Sequence, residues 1–260
     1  MLRRLKGTWA IVPALAACNC LSASMIGSLQ PEFRHIYSLN PNGRVMIQNL
    51  YGDVRITAWD RDEVLVTAIK KSRDPRQAND ASVVVDSSSD SLSIRTQYAG
   101  AEVEHPASVE YRIMVPRTAN LQNVKLINGG LSISGLAGSI KASSVNGNIR
   151  ADNLEGQVDL STINGQLEAG FSRVSRANPI NLTSVNGPIR LSLPSGADAE
   201  LIAHNLSGGI DSEFGHARRA SSGHRLRTVV NRGGTQIHLN NVNGGISIRS
   251  HARRFDRSFS

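Results

Sequence analysis

Ile140-Lys141-Ala142-Ser143-Ser144-Val145-Asn146-Gly147-Asn148-Ile149-Arg150-Ala151-Asp152-Asn153-Leu154-Glu155-Gly156 holds one motif written twice, apolar-x-apolar-x-x-apolar-x-Gly, with a nine-residue period. Working outward, glycines keep that beat at Gly129, Gly138, Gly147, Gly156 and Gly165. The same pattern fits Val45 to Gly52, Ile180 to Gly187 and Ile237 to Gly244, and Leu201 to Gly208 with a polar lapse at Ser212 just beyond. A repeat unit this short cannot bury its apolar face alone and must stack on its neighbours. Two apolar residues one apart mark a short strand with one buried face. The phase then breaks at a polar pair, such as Asp152-Asn153 or Ser161-Thr162, before the next apolar residue.

Alternate corners differ. Asn128-Gly129, Asn146-Gly147 and Asn164-Gly165 recur every eighteen residues, with Ala137-Gly138 and Glu155-Gly156 between them. An eighteen-residue coil with two unlike corners is therefore the natural unit, and stacking would align the asparagines in a ladder. Asn186-Gly187 continues it after an insertion, and Asn243-Gly244 closes another copy of the motif. Both residue types tolerate the left-handed conformation that such corners use. The pattern predicts an all-β fold, a parallel β-solenoid of the β-helix or β-roll kind, with coils of roughly 18–22 residues and a length on the order of 50 Å at ~4.8 Å per strand. The alternative is an antiparallel β-sandwich, because Asn-Gly is also the strongest hairpin signal.

Two stretches leave the beat. Residues 60–116 carry longer strand-like runs at 64–69, 83–86, 92–96 and 109–115, with Ser87-Ser88-Ser89-Asp90 as a hairpin turn. Residues 213–227 read as a polar, basic loop, and 251–260 as a basic tail. The repeat domain spans 39–250, preceded by a tether over 18–38.

Residues 1–17 read as an export signal. Arg3, Arg4 and Lys6 precede an apolar run, 8–17, too short to span a bilayer. It ends in Leu15-Ala16-Ala17-Cys18, which resembles the bacterial lipobox, so Cys18 is the expected lipidation site and the route to a membrane. An ordinary signal peptide cut nearby is the alternative. Cys18 and Cys20 are the only cysteines, so nothing from residue 21 onward can form a disulfide or thiolate site. Formal charge is +8, three units of it in the signal. That balance suits an anionic envelope glycan or lipid.

Val109-Glu110-Tyr111-Arg112-Ile113-Met114-Val115-Pro116, then the Asn128-Gly129-Gly130-Leu131-Ser132-Ile133-Ser134-Gly135-Leu136-Ala137-Gly138 run and Ser144-Val145-Asn146-Gly147-Asn148-Ile149, resembles the bacterial "putative adhesin" family of β-strand-repeat domains of unknown function. Gly52-Asp53-Val54-Arg55-Ile56 through Trp59, with the strand at 64–70, is similar to that family's opening. The resemblance covers most of 39–249. It implies an exported solenoid-like domain in the cell envelope and carries no catalytic residues with it.

Candidate sites are few. Parallel solenoids host polysaccharide-active enzymes, but hydrolysis needs two carboxylates facing one groove. Asp152, Glu155 and Asp159 read as solvated charges near strand ends and corners. The histidines show no metal-ligand spacing, and no nucleophile elbow or phosphate loop occurs, so no metal and no cofactor are expected. The strongest remaining cluster is basic: His216, Arg218, Arg219, His224, Arg225 and Arg227 interrupt the repeat. Guanidinium groups there suit phosphate or carboxylate, and Arg218, Arg219, Arg225 and Arg227 are the expected ligand contacts. Nucleic acid is not expected, since no aromatic residues interleave the arginines. The function expected is a non-catalytic binding or adhesion module anchored in the envelope. Its alternatives are an envelope-stress or structural scaffold with a protein partner and, last, a polysaccharide-active enzyme.

Overall fold

The computed structural model of the chain describes residues 33–72, 81–99, 107–214 and 224–251, and every regular element among them is a strand. In chain order these are β1 (Phe33–Ser38), β2 (Arg44–Tyr51), β3 (Val54–Trp59), β4 (Glu63–Lys71), β5 (Ala81–Ser87), β6 (Ser91–Tyr98) and β7 (Ser108–Pro116). The regular coils follow as β8 (Asn120–Asn128), β9 (Leu131–Ser134), β10 (Ile140–Asn146), β11 (Ile149–Leu154), β12 (Val158–Asn164), β13 (Leu167–Phe171), β14 (Ile180–Asn186) and β15 (Ile189–Pro194). The last are β16 (Ala199–Ser207), β17 (Ile210–Ser212), β18 (Arg225–Val230), β19 (Thr235–Asn243) and β20 (Ile246–His251).

Two ten-stranded sheets face each other, and each coil gives one strand to each. Sheet A runs β1-β4-β7-β3-β9-β11-β13-β15-β20-β17, and sheet B runs β18-β16-β19-β14-β12-β10-β8-β2-β6-β5. At ~4.8 Å per strand each is roughly 45 Å long. Coil neighbours pair in parallel and in register, Ile140 with Val158 and Val158 with Ile180. Like residues therefore stack: Ile140, Val158, Ile180 and Ile237 form one buried column, and Ala142, Leu160, Leu182 and Leu239 the next. Sheet A answers with Val54, Leu131, Ile149, Leu167, Ile189 and Ile246. The fold is a parallel β-solenoid, not the antiparallel sandwich. Antiparallel pairing is confined to the ends of the stack, at β1-β4-β7, β5-β6 and β16-β18.

The expected phase break holds in some coils and not in others; it occurs in β11 on sheet A and, at Asn123 with φ 60°, in β8 on sheet B. In β11 it is real: Asn153 takes φ 57°, the register shifts after Ala151, and Leu154 turns inward. In β12 the strand alternates without interruption to its end, so Thr162 is buried and Ile163 points outward, 44% exposed. The same inversion holds at Ser144-Val145 and Ser184-Val185, where the polar residue is the buried one. Sequence pattern alone placed Val145, Val185, Leu206 and Val242 with the core residues. The strand's period of two puts them on the outer face instead.

Coil order in space is not chain order. The first coil, β2/β3, lies between β6/β7 and β8/β9. The last, β19/β20, inserts between β14/β15 and β16/β17. Neither terminal coil of the described chain is thus an end of the stack, where exposed ladder groups would invite fraying or strand addition. Two further corrections concern segments read as irregular. Residues 33–38, placed in the tether, form β1 on the edge of sheet A. Arg225 and Arg227, placed in the basic loop, belong to β18 on the edge of sheet B.

Candidate functional surface

The Asn-Gly corners make two adjoining columns. Asn146 Nδ2 donates to Asn128 Oδ1 at 2.9 Å, Asn164 to Asn146 at 2.8 Å, Asn186 to Asn164 at 2.9 Å and Asn243 to Asn186 at 2.9 Å. Each amide in the middle of the column gives one hydrogen bond and takes one, which is what stacked identical amides allow. The left-handed conformation is not their reason for being asparagine: the asparagines with positive φ are Asn123, Asn153 and Asn231. Beside them the glycines are needed for close approach. A Cβ on Gly147 would lie 2.0 Å from the Gly129 carbonyl oxygen, and one on Gly165 2.2 Å from that of Gly147. Those carbonyls also take buried side-chain donors. Ser144 Oγ donates to Gly129 O and Thr162 Oγ1 to Gly147 O, both at 3.1 Å, while Asn205 Nδ2 donates to Gly244 O at 2.7 Å. The polar residue three places before the corner glycine thus closes the coil from inside.

Outside, on sheet B, the register aligns Leu50, Ile127, Val145, Ile163, Val185, Val242 and Leu206 in a single row beside the asparagine column. Leu206, 72% exposed, stands at the far end of that row. On sheet A the outward positions are mostly charged or small.

Of the expected ligand contacts, Arg218 and Arg219 lie outside the described residues, as does Cys18. Arg227 is held by Glu200 through two hydrogen bonds of 2.9 and 2.7 Å. Arg225 lines a shallow depression of about 390 Å³ with His204, His224 and Asn240. Arg225 thus lines a depression, while Arg227 is engaged by Glu200. Two other depressions, of about 290 and 440 Å³, open on sheet A at opposite ends of the stack.

Several carboxylates are engaged by arginine, Asp159 not among them. Asp152 accepts from Arg150, Glu155 from Arg117, Asp211 from Arg249 and Asp198 from Arg232. The Arg232 hydrogen bonds hold the Asp198 carboxyl below its usual range. Among the described residues no group of three or more His, Cys, Asp or Glu is placed to hold a metal ion. A buried polar cluster sits inside the first coils: Thr96 Oγ1 donates to Asn49 Oδ1 at 2.8 Å and lies 2.7 Å from the Tyr111 hydroxyl. Burial pushes Tyr111 up to about 12.

Stacked parallel coils, an amide ladder at one corner and long repetitive outer faces define a two-sheeted parallel β-solenoid. The chain belongs to the Toastrack DUF4097 family, whose model matches residues 41–249. Among solved structures, a "putative cell adhesion protein" from Clostridium sporogenes is 11% identical, covers 85% of this chain and 100% of its own, and superposes with a TM-score of 0.51. A "putative adhesin" from Bacteroides fragilis is also 11% identical, covers 84% and 96%, and has a TM-score of 0.38. At such identities the likeness is one of fold. No curated protein matches the chain.

Proposed function

We propose that the protein is a non-catalytic binding or adhesion module, exported and held at the bacterial cell envelope, that engages an extended anionic partner through its outer sheet faces. One observation carries the reading: the side chains available for contact are arranged in straight rows that repeat once per coil along both faces. A repetitive row suits a repetitive partner, whereas a small substrate calls for a concave pocket with converging polar groups. The ion pairs that occupy Asp152, Glu155, Asp198 and Asp211 argue in the same direction. The adhesion name carried by the Clostridium sporogenes neighbour agrees with it. A scaffold with a protein partner is the second reading, favoured by the exposed apolar row ending at Leu206.

Anchoring rests on Leu15-Ala16-Ala17-Cys18 following a short apolar run. One acyl chain binds membranes only marginally at ~0.8 kcal/mol per buried methylene, whereas two or three hold stably. Fractionation of a bacterium expressing the full chain tests this. The protein is expected in the membrane fraction with fatty-acid label, and Cys18→Ala in the soluble envelope fraction without it. Recovery from the cytoplasm would overturn the reading, and unchanged labelling of Cys18→Ala would overturn the anchor.

A further inference from the structure

The outward row of sheet A reads, strand by strand in register, Arg34, Thr67, Arg112, Arg55, Ser132, Arg150. At ~4.8 Å per strand, four guanidinium groups lie along roughly 24 Å with no acidic residue among them. Arg112 and Arg55 are immediate neighbours on parallel strands. Like charges directly opposite one another destabilise a sheet, and folding alone gives no reason to juxtapose them. Elsewhere the chain matches its arginines, Arg117 to Glu155, Arg232 to Asp198 and Arg249 to Asp211. Arg34, Arg55 and Arg112 have no carboxylate partner among the described residues.

Arg55, Arg112 and Arg150 line the sheet A depression of about 290 Å³, and the two acidic residues that line it with them are both engaged. Glu110 pairs with Lys71, and Asp53 Oδ1 accepts from the Gly130 amide at 2.7 Å. Arg150 is tied to Asp152 and Glu168, which marks where the unopposed positive row stops. The row beyond, Met114, Thr57 and Ser134, is uncharged until Asp152. The positive charge is therefore a line one side chain wide, not a patch.

We propose that this row is the binding site for a linear acidic polymer, a glycan bearing carboxylate or phosphate groups, lying along the solenoid axis across the strands. The guanidinium fork takes either group bidentately. Arg55 and Arg112 hold the central anionic group, and Arg34 extends the track toward the stack's end. A flat lipid surface would engage a broad patch and would leave most of a narrow row unused. The inference deepens the functional reading and rests on it for the extended nature of the partner.

The test is fluorescence anisotropy of the full chain with labelled oligogalacturonate, a carboxylate polymer, and labelled polyphosphate, alongside co-sedimentation with vesicles of anionic lipid. Wild type is expected to bind one or both polymers, with affinity falling about tenfold between 50 and 200 mM salt as counterions re-condense on the chain. The Arg55→Ser/Arg112→Ser variant is expected to lose at least tenfold in affinity. It should melt no lower than wild type, because the substitution relieves repulsion. Lys125→Ser/Lys141→Ser, on the outer face of sheet B, should bind like wild type, and Arg225→Ser/Arg227→Ser probes the rival site at the opposite end of the stack. Full retention by the Arg55/Arg112 variant, loss confined to the Arg225/Arg227 variant, preference for vesicles, or no polymer binding by wild type would each overturn the site. Absence of the protein from the envelope would instead overturn the functional reading and leave the site standing.

Discussion

Asn243 donates its side-chain amide to Asn186 at 2.9 Å, although 57 residues separate them. The other rungs of the ladder are 18 or 22 residues apart. The long step arises because β16, β17 and β18 intervene in the chain, while β19/β20 lies in space between them and β14/β15. Ser207 pairs in register with Asn243, so the earlier segment occupies the outer rung.

Removing residues 235–260 should consequently do more than shorten the stack. In a solenoid stacked in chain order, losing the last coil leaves the rest nearly intact. Here β16 to β18 would lose the strand they pair with, while β14 and β15 would be uncovered. Hydrogen exchange of the truncated chain should show protection lost in β16, β17 and β18, well outside the deleted part. Native protection of β16 in the truncated chain would rule out the inserted order.

Gly147 and Gly196 make a matched pair. A Cβ on Gly147 meets a backbone carbonyl at 2.0 Å, while one on Gly196 meets nothing within 4 Å. Gly147→Ala should cost about 1–3 kcal/mol, the range for overpacking a rigid site. Gly196→Ala should be neutral or stabilising by up to about 1 kcal/mol through the unfolded state. Thermal or urea unfolding reads both, and equal effects would show that close approach is not what selects glycine at the corner.

Alkali should unfold the protein through Tyr111. Its hydroxyl is raised to about 12, with burial as the cause and the Thr96 hydrogen bond opposing it. A raised pKa means the folded state holds its proton more tightly than the unfolded chain, whose tyrosines ionise near ~10. The contribution is fully present below pH ~10 and is lost as pH climbs toward about 12, on the order of 2 kcal/mol. Tyr111→Phe should flatten that part of the stability curve, measured by urea unfolding at a series of pH values. An unchanged slope would place the alkaline sensitivity elsewhere, Tyr98 being the next tyrosine raised to about 12.

The nine-residue beat made the two-sheeted solenoid legible because stacking demands that chemically like residues recur at like positions. It left Ser161-Thr162 and Asp152-Asn153 indistinguishable, since a polar pair looks the same whether a strand slips phase or continues. Of these four residues only Asn153 adopts the left-handed conformation that produces a slip. Thr162 is buried because its hydroxyl reaches a corner carbonyl, a long-range partner invisible to local periodicity. The place of β19/β20 was hidden for a similar reason: every coil presents the same interface, so pattern cannot order them. Arg55 and Arg112, 57 positions apart in sequence, become neighbours because the first coil is itself out of chain order, β3 lying between β7 and β9.

The most direct test of the functional account is co-sedimentation of the purified full chain with isolated bacterial envelopes and their acidic polysaccharide. Salt is raised stepwise, and the supernatant is analysed for released sugar. The account predicts retention at low salt, release as screening over ~8–10 Å removes the exposed charge contacts, and no shortening of the polymer. Failure to sediment with any envelope fraction, or depolymerisation of the polysaccharide, would contradict it.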